Sequence, residues 1–298
     1  MPVPGSITDL SITPGSNSPA GSESPGLIDD YLRTQAAFIA QLRDGRPTFS
    51  QTSGIVGSSR NLRIAIGSAS ASTSMTADEV IVEASLGGVR YCLANQSKTI
   101  NISTIGLGGM DTGSAPLSGF VGIYLIYNPT TTTSALLGVN ATASVLPLIY
   151  GGANMPAGYT ASALISVWPT NGSGQFVTGV QLDREIGITT TTVLNTSTVQ
   201  ASLTSFSASA GMPRNAVTCR GDFTIGSSAA GAGATVVLAG SAVELGRVAA
   251  GTTSPTGGAV SVVSFPYITV NTAQTLYYRA SVSAGTLTLV VGISGYTI

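Results

Sequence analysis

From Asp111 to Asp183 the chain carries no charged side chain, and Gly, Pro and Asn break that stretch repeatedly. Its two most apolar runs, Phe120–Tyr127 and Ala163–Trp168, are apolar on both faces. Both fall far short of the ~20 residues a membrane-spanning helix needs. Asn128-Pro129 ends the first. Runs of this length, bounded by turn residues, predict central strands covered on both sides. Elsewhere the pattern has period two. Leu62, Ile64 and Ile66 alternate with polar or small residues, and Val80, Val82 and Ala84 oppose Glu79, Ile81 and Glu83. Turn clusters at 87–88, 106–109, 128–129, 151–158 and 169–174 separate these runs. Many short strands between turns predict sandwich or barrel architecture from about residue 47 to the end.

Composition narrows the chemistry. Charged residues are 8% of 298, Lys98 is the only lysine, and there is no histidine; ordinary soluble domains carry ~25% charge. Histidine-based triads and histidine metal ligands are excluded. Eleven arginines and one lysine against a net charge of −1 give no clustered positive footprint for nucleic acid. Cys92 and Cys219 read as buried free thiols. No cofactor or metal is expected. The aromatics do not recur as paired interface girdles, so membrane insertion is not expected. The first residues show neither a basic start nor an apolar stretch, so no secretory signal is expected.

Residues 1–24 read as an extended arm, interrupted by Pro2, Pro4, Pro14 and Pro19. Its apolar residues Ile7, Leu10 and Ile12 suit docking on a partner. A single amphipathic helix follows over 25–46. Ser24 caps it, Pro25 takes the first position, and Asp29-Asp30 and Arg43 match the helix dipole. Ile28, Leu32, Gln35, Ile39 and Leu42 repeat with heptad spacing and form a seam polar only at Gln35. The seam serves either packing within the chain or a trimeric bundle. A first β domain covers 47–186 and a β-prone connector 187–200. A C-terminal β-sandwich or jelly-roll-like domain covers 201–298. The last domain is expected to close on a hairpin. Its arms would be Leu276, Tyr278, Ala280, Val282 and Leu287, Leu289, Val291, Ile293, with Ser283-Ala284-Gly285 as the turn. Gly226–Gly233 reads as a mobile loop.

Two stretches carry a family likeness. Ser18-Pro19-Ala20-Gly21-Ser22-Glu23-Ser24, with Leu27-Ile28-Asp29-Asp30-Tyr31-Leu32 and Ala36-Ala37-Phe38-Ile39, resembles the N-terminal segment of tail fibre proteins of tailed bacteriophages. Met155 to Leu164, continuing through Thr170 to Phe176, is similar to a β module of many phage tail fibres. The resemblance implies an elongated homotrimer. Its N-terminus would attach to a tail, baseplate or other virion protein, and its C-terminal domain would meet a host surface glycan or protein. The expected location is the virion tail, after synthesis in the bacterial cytoplasm. The chain carries no collagen-like repeat, so a short fibre and an adaptor or capsid-bound fibre without its own receptor both remain open. A polysaccharide-degrading tailspike is the third reading. For that chemistry Asp183 and Glu185 would share a strand face at ~7 Å, with Arg184 opposite, but solvated edge charges explain them as well. No catalytic residue is assigned. Tyr267, Tyr278 and Tyr296 are the candidate receptor contacts, with strand packing as the alternative. Trp168 is expected in the core, the Gly106–Gly109 cluster has no helix after it for a phosphate site, and Asp111 is a lone carboxylate.

Overall fold

The computed structural model describes residue 16, residues 25–43 and residues 54–298. The arm residues Ile7, Leu10 and Ile12 and the Leu42 side chain lie outside the described residues. Two units are distinguished, one holding the helix together with Val89–Tyr91 and one holding the rest of the β structure. In the first, a short 3-10 turn over Pro25–Leu27 leads into α1 (Ile28–Arg43). Tyr31 and Phe38 are buried, at 3% and 6% exposure. Ile28, Leu32 and Ile39 stand 51%, 61% and 66% exposed, and Gln35 is exposed as well. The flanking aromatics are therefore the packed side of this helix, and Ile28, Leu32, Gln35 and Ile39 of the heptad seam face solvent.

The β unit is mainly antiparallel sheet. Its first part comprises β1 (Ser59–Arg60), β2 (Arg63–Ile66), β3 (Ser72–Glu83), β4 (Arg90–Asn101), β5 (Phe120–Asn128), β6 (Thr133–Asn140), β7 (Ala161–Pro169) and β8 (Gly179–Leu182). The strand order is β8-β2-β3-β7-β5-β6, with β1 and β4 also on β3. β7 is buried at every position, and β5 at every position but Tyr127, as their uniform apolarity predicts. Asn128 ends β5 by accepting hydrogen bonds at its Oδ1 from the Thr130 and Thr131 amides, at 3.0 and 3.2 Å. Leu62, Ile64 and Ile66 are buried and alternate with exposed neighbours. β3 departs from simple alternation at its end, where Val80, Ile81, Val82 and Glu83 are all buried and Ala84 is exposed beyond the strand. The loop at Gly54–Gly57 covers Ile81, whose carbonyl accepts the Gly57 amide at 2.8 Å. Glu83 accepts the Gly87 amide at 3.1 Å.

The second part comprises β9 (Glu185–Thr196), β10 (Gln200–Ser207), β11 (Thr218–Ser227), β12 (Gly233–Ala239), β13 (Val248–Thr253), β14 (Val260–Thr269), β15 (Thr275–Val282) and β16 (Leu287–Thr297). One sheet runs β14-β11-β16-β9 and the other β10-β15-β12-β13. The antiparallel pairs are nested: β9 with β16, β10 with β15, β11 with β14, β12 with β13. Nested pairing across two four-stranded sheets is a jelly roll. The β-prone segment 187–200 is thus largely strand. β9 pairs β8 on one side and β16 on the other, so one continuous sheet crosses both parts.

Two expectations fail here. β15 and β16 are not a hairpin, because they belong to different sheets. The turn at 283–286 carries the chain across the sandwich, and Leu276, Tyr278 and Ala280 face the core from one sheet while Leu287, Leu289, Val291 and Ile293 face it from the other. Gly226–Gly233 is not a free loop. Gly226 and Ser227 belong to β11, Gly233 begins β12, and Ser227 Oγ donates to the Ala284 carbonyl at 2.5 Å. Small residues suit this corner because strands pack closely there: a Cβ on Gly226 would meet the Ala259 carbonyl.

Candidate functional site

The three candidate tyrosines part company. Tyr278 and Tyr296 are buried, at 5% and 1% exposure, and cannot meet a receptor. Tyr278 packs edge-on against Phe206, with ring centroids 5.9 Å apart. Tyr296 donates its hydroxyl to the Val167 carbonyl at 2.8 Å and so ties the jelly roll to β7. Tyr267 remains, 55% exposed on β14.

Tyr267 borders a concavity of about 160 Å3 on the outer face of the β14-β11-β16-β9 sheet. Register builds it. Thr269, Thr218, Thr297 and Glu185 lie opposite one another across the four strands. The next row is Arg220, Gly295 and Gly187, and a bulge between Cys219 and Gly221 brings Pro266 and Tyr267 beside Arg220. Arg220 lies across both glycines to pair with Glu185 two strands away. A Cβ on Gly187 would come within 2.9 Å of its guanidinium, and one on Gly295 within 2.9 Å of Nε. Side chains at those positions would lift the arginine off the sheet. Thr218 and Thr297 hydroxyls bond each other at 2.6 Å, and the Thr269 hydroxyl donates to Tyr267 Oη at 3.2 Å. The result is a shallow trough with an aromatic wall and a charge-neutral floor, in which the Arg220–Glu185 pair is partly exposed. Such a surface pair contributes little stability, ~0–1 kcal/mol.

Cys219 lies beneath this trough. Burial pushes its thiol up from 9.0 to about 12, and burial holds the Tyr296 hydroxyl well above its ordinary 10.0. The folded protein keeps protons that the unfolded chain releases, so stability is present below the unfolded values and is lost as pH rises from 9 toward 12. The thermal unfolding midpoint is expected to fall across that window. Cys219→Ala should flatten part of the fall, which calorimetry across the pH range reads directly.

Other sequence candidates serve the fold. Asp183 and Arg184 form the two-residue turn between β8 and β9, so they do not lie on a strand. Asp183 accepts from Ser59 Oγ at 2.9 Å and the Leu62 amide at 3.1 Å, whereas Glu185 holds Arg220. The two carboxylates are engaged separately. Asp111 accepts the Tyr150 hydroxyl at 2.9 Å, and the Gly106, Gly108 and Gly109 amides all donate to backbone carbonyls. Cys92 is exposed, against expectation, and its thiol is pushed up to about 11 by burial of the sulfur, a hydrogen bond to Glu79 and that carboxylate's charge. Among the described residues no group of three or more Cys, Asp or Glu side chains could hold a metal, and no helix is long and apolar enough to cross a membrane. A larger groove of about 600 Å3 crosses the other sheet, between Gln200, Thr235, Gly251, Arg279 and Ser281, without an aromatic side chain.

No family model matches the chain, and no curated protein matches it. Among solved structures it is similar to a Bacillus thuringiensis Cry1Da tryptic core variant, at 9% identity over 84% of this chain and 53% of that one, with a TM-score of 0.22. It is also similar to the infectious bursal disease virus VP2 subviral particle, at 13% identity over 82% of this chain and 70% of that one, with a TM-score of 0.18. The chain spans about half the length of the toxin core. At these TM-scores neither likeness bears on function.

Proposed function

We propose that this chain is a structural protein of a phage virion, a short homotrimeric tail fibre. Residues 1–24 attach it to a tail, baseplate or other virion protein. Residues 25–46 bundle about a threefold axis. The C-terminal jelly roll contacts the host surface. The observation that carries this reading is the exposure of Ile28, Leu32 and Ile39 along α1, each more than half open to solvent. Exposed aliphatic residues at heptad spacing are the pattern of an interhelical contact. The charge-free stretch adds to it. Leu117, Val145 and Leu148 are 67%, 60% and 41% exposed within it, and an uncharged surface brings like copies together without repulsion. Three-fold repetition then turns weak individual contacts with a host surface into useful avidity.

The test is adsorption blocking. Purified full-length chain added to host cells before phage should reduce plaque formation in a dose-dependent way. Trimeric chain that enters the virion yet never blocks adsorption identifies the adaptor reading instead. Deletion of residues 1–24 should leave the fold intact and abolish incorporation into particles. New reducing ends on incubation with host capsule would identify the tailspike reading.

A further inference from the structure

We propose that the trough between Tyr267 and Glu185 binds one neutral sugar ring at the end of a surface glycan. This deepens, and for its biological partner rests on, the reading of the chain as a host-contacting virion protein.

The trough joins the two kinds of group that a sugar ring needs. One face of a pyranose is a patch of C–H groups, which an exposed aromatic ring covers. Tyr267 is such a ring, and the Thr269 hydrogen bond to its hydroxyl holds it in place. The ring's edge is a row of hydroxyls, each both donor and acceptor. Arg220 offers several fixed N–H donors and Glu185 carries acceptor lone pairs beyond those its partner uses. Thr218 and Thr297 add hydroxyls on the same floor. Pockets with a few convergent polar groups and an apolar wall are the common form of small-molecule sites, at ~300–1,000 Å3 for drug-sized ligands. At about 160 Å3 this one takes a single ring and not an oligosaccharide.

Charge selects the class of sugar. Arg220 is already neutralised by Glu185. A sugar carboxylate would have to displace Glu185 from its arginine and would then face that carboxylate. A neutral ring leaves the pair intact and uses its spare donors and acceptors. The site is also prepared before binding. Gly187 and Gly295 clear the bed in which Arg220 lies, so its side chain need not be ordered by the ligand.

Saturation-transfer NMR on the full-length protein tests this, with the methyl glycosides of glucose, galactose and mannose as neutral probes and the methyl glycoside of sialic acid as the charged one. At least one neutral glycoside should receive saturation on its ring protons, and the charged one should not. Tyr267→Ala should abolish the signal. Gly187→Ala, which lifts Arg220 out of its bed but leaves the Tyr267 wall and the Thr218 and Thr297 hydroxyls in place, should weaken it severalfold. Tyr267 is exposed, so its truncation leaves the fold intact, as circular dichroism will report. Glu185→Gln is a second variant that leaves the aromatic wall untouched and should weaken the signal too. Silence from all three neutral probes, a signal that survives Tyr267→Ala, or preference for the sialoside would overturn the proposal. A trimer that blocks adsorption without binding any neutral glycoside removes this site and leaves the fibre reading standing. Neutral-sugar binding by a chain that never blocks adsorption does the reverse.

Discussion

Ile39→Asp is expected to convert a particle of three times 29.8 kDa into single chains, read by light scattering at micromolar protein. Ile39 is 66% exposed on α1, so a charge there costs the isolated chain almost nothing. In a threefold bundle the same position meets its two copies. Three carboxylates then converge where three aliphatic side chains would each contribute about 1.5–3 kcal/mol on full burial. Leu32→Asp, one turn pair earlier at 61% exposure, should act alike. Phe38→Asp should not, because Phe38 is already buried, at 6% exposure; it should unfold the helix instead of dissociating folded chains. The contrast separates assembly from folding, since circular dichroism stays unchanged in the first two variants and falls in the third. A helix of 16 residues is marginal alone in water, so the proposed trimer would need the β region to help hold it. Gln35 tunes this further. A polar residue within an apolar seam fixes register at a cost in stability, so Gln35→Leu should raise the dissociation temperature. A wild-type mass of 29.8 kDa would sink the trimer.

How much of this was readable depends on what each signal measures. Uniform apolarity measures burial on both faces, and it placed β5 and β7 correctly. Alternation measures which side chains share a face, and it says nothing about which sheet the face belongs to. Leu276 to Val282 and Leu287 to Ile293 alternate equally well as a hairpin and as an arch across a sandwich. The inward direction of Tyr278 was legible, because it keeps the parity of Leu276 and Ala280. That of Tyr296 was not, since the pairing of β16 shifts register between Ile293 and Gly295 and reverses the parity. The trough was invisible for a related reason. Glu185, Gly187, Arg220, Tyr267 and Gly295 lie on four strands, and only their register brings them into adjacent rows. A glycine in a strand is a hint of close approach, but the sequence does not name what approaches. The solvent-facing seam was half legible: heptad spacing identified the residues, while only the burial of Tyr31 and Phe38 shows which side of the helix is already used.

Trp168→Ala is expected to cost the β unit about 3–5 kcal/mol, the usual range for removing a fully buried aromatic. Trp168 has no solvent exposure. It sits on β7 opposite Val121 of β5, and its indole N–H donates to the Val177 carbonyl at 2.9 Å. The edge of its ring lies against Gly179, where a Cβ would come within 3.1 Å of Cζ2. Gly179 begins β8, and β8 pairs the strand that continues into the jelly roll. Loss of the ring therefore opens a cavity beside the junction of the two β parts and takes the indole donor from the part-buried Val177 carbonyl. Against a total stability of about 5–15 kcal/mol, this takes a large share. The thermal midpoint should fall by about 10 °C, given ~2–4 °C per kcal/mol for a unit of this size. Trp168→Phe keeps an aromatic ring but loses the N–H donor together with part of the indole's ring system. A drop about one third as large would assign most of the effect to the ring volume that phenylalanine retains, and an equal drop would assign it to the N–H donor and the ring atoms lost with it. Because Trp168 lies away from α1 in sequence and fold unit, the native mass below the melting range should be unchanged in both variants.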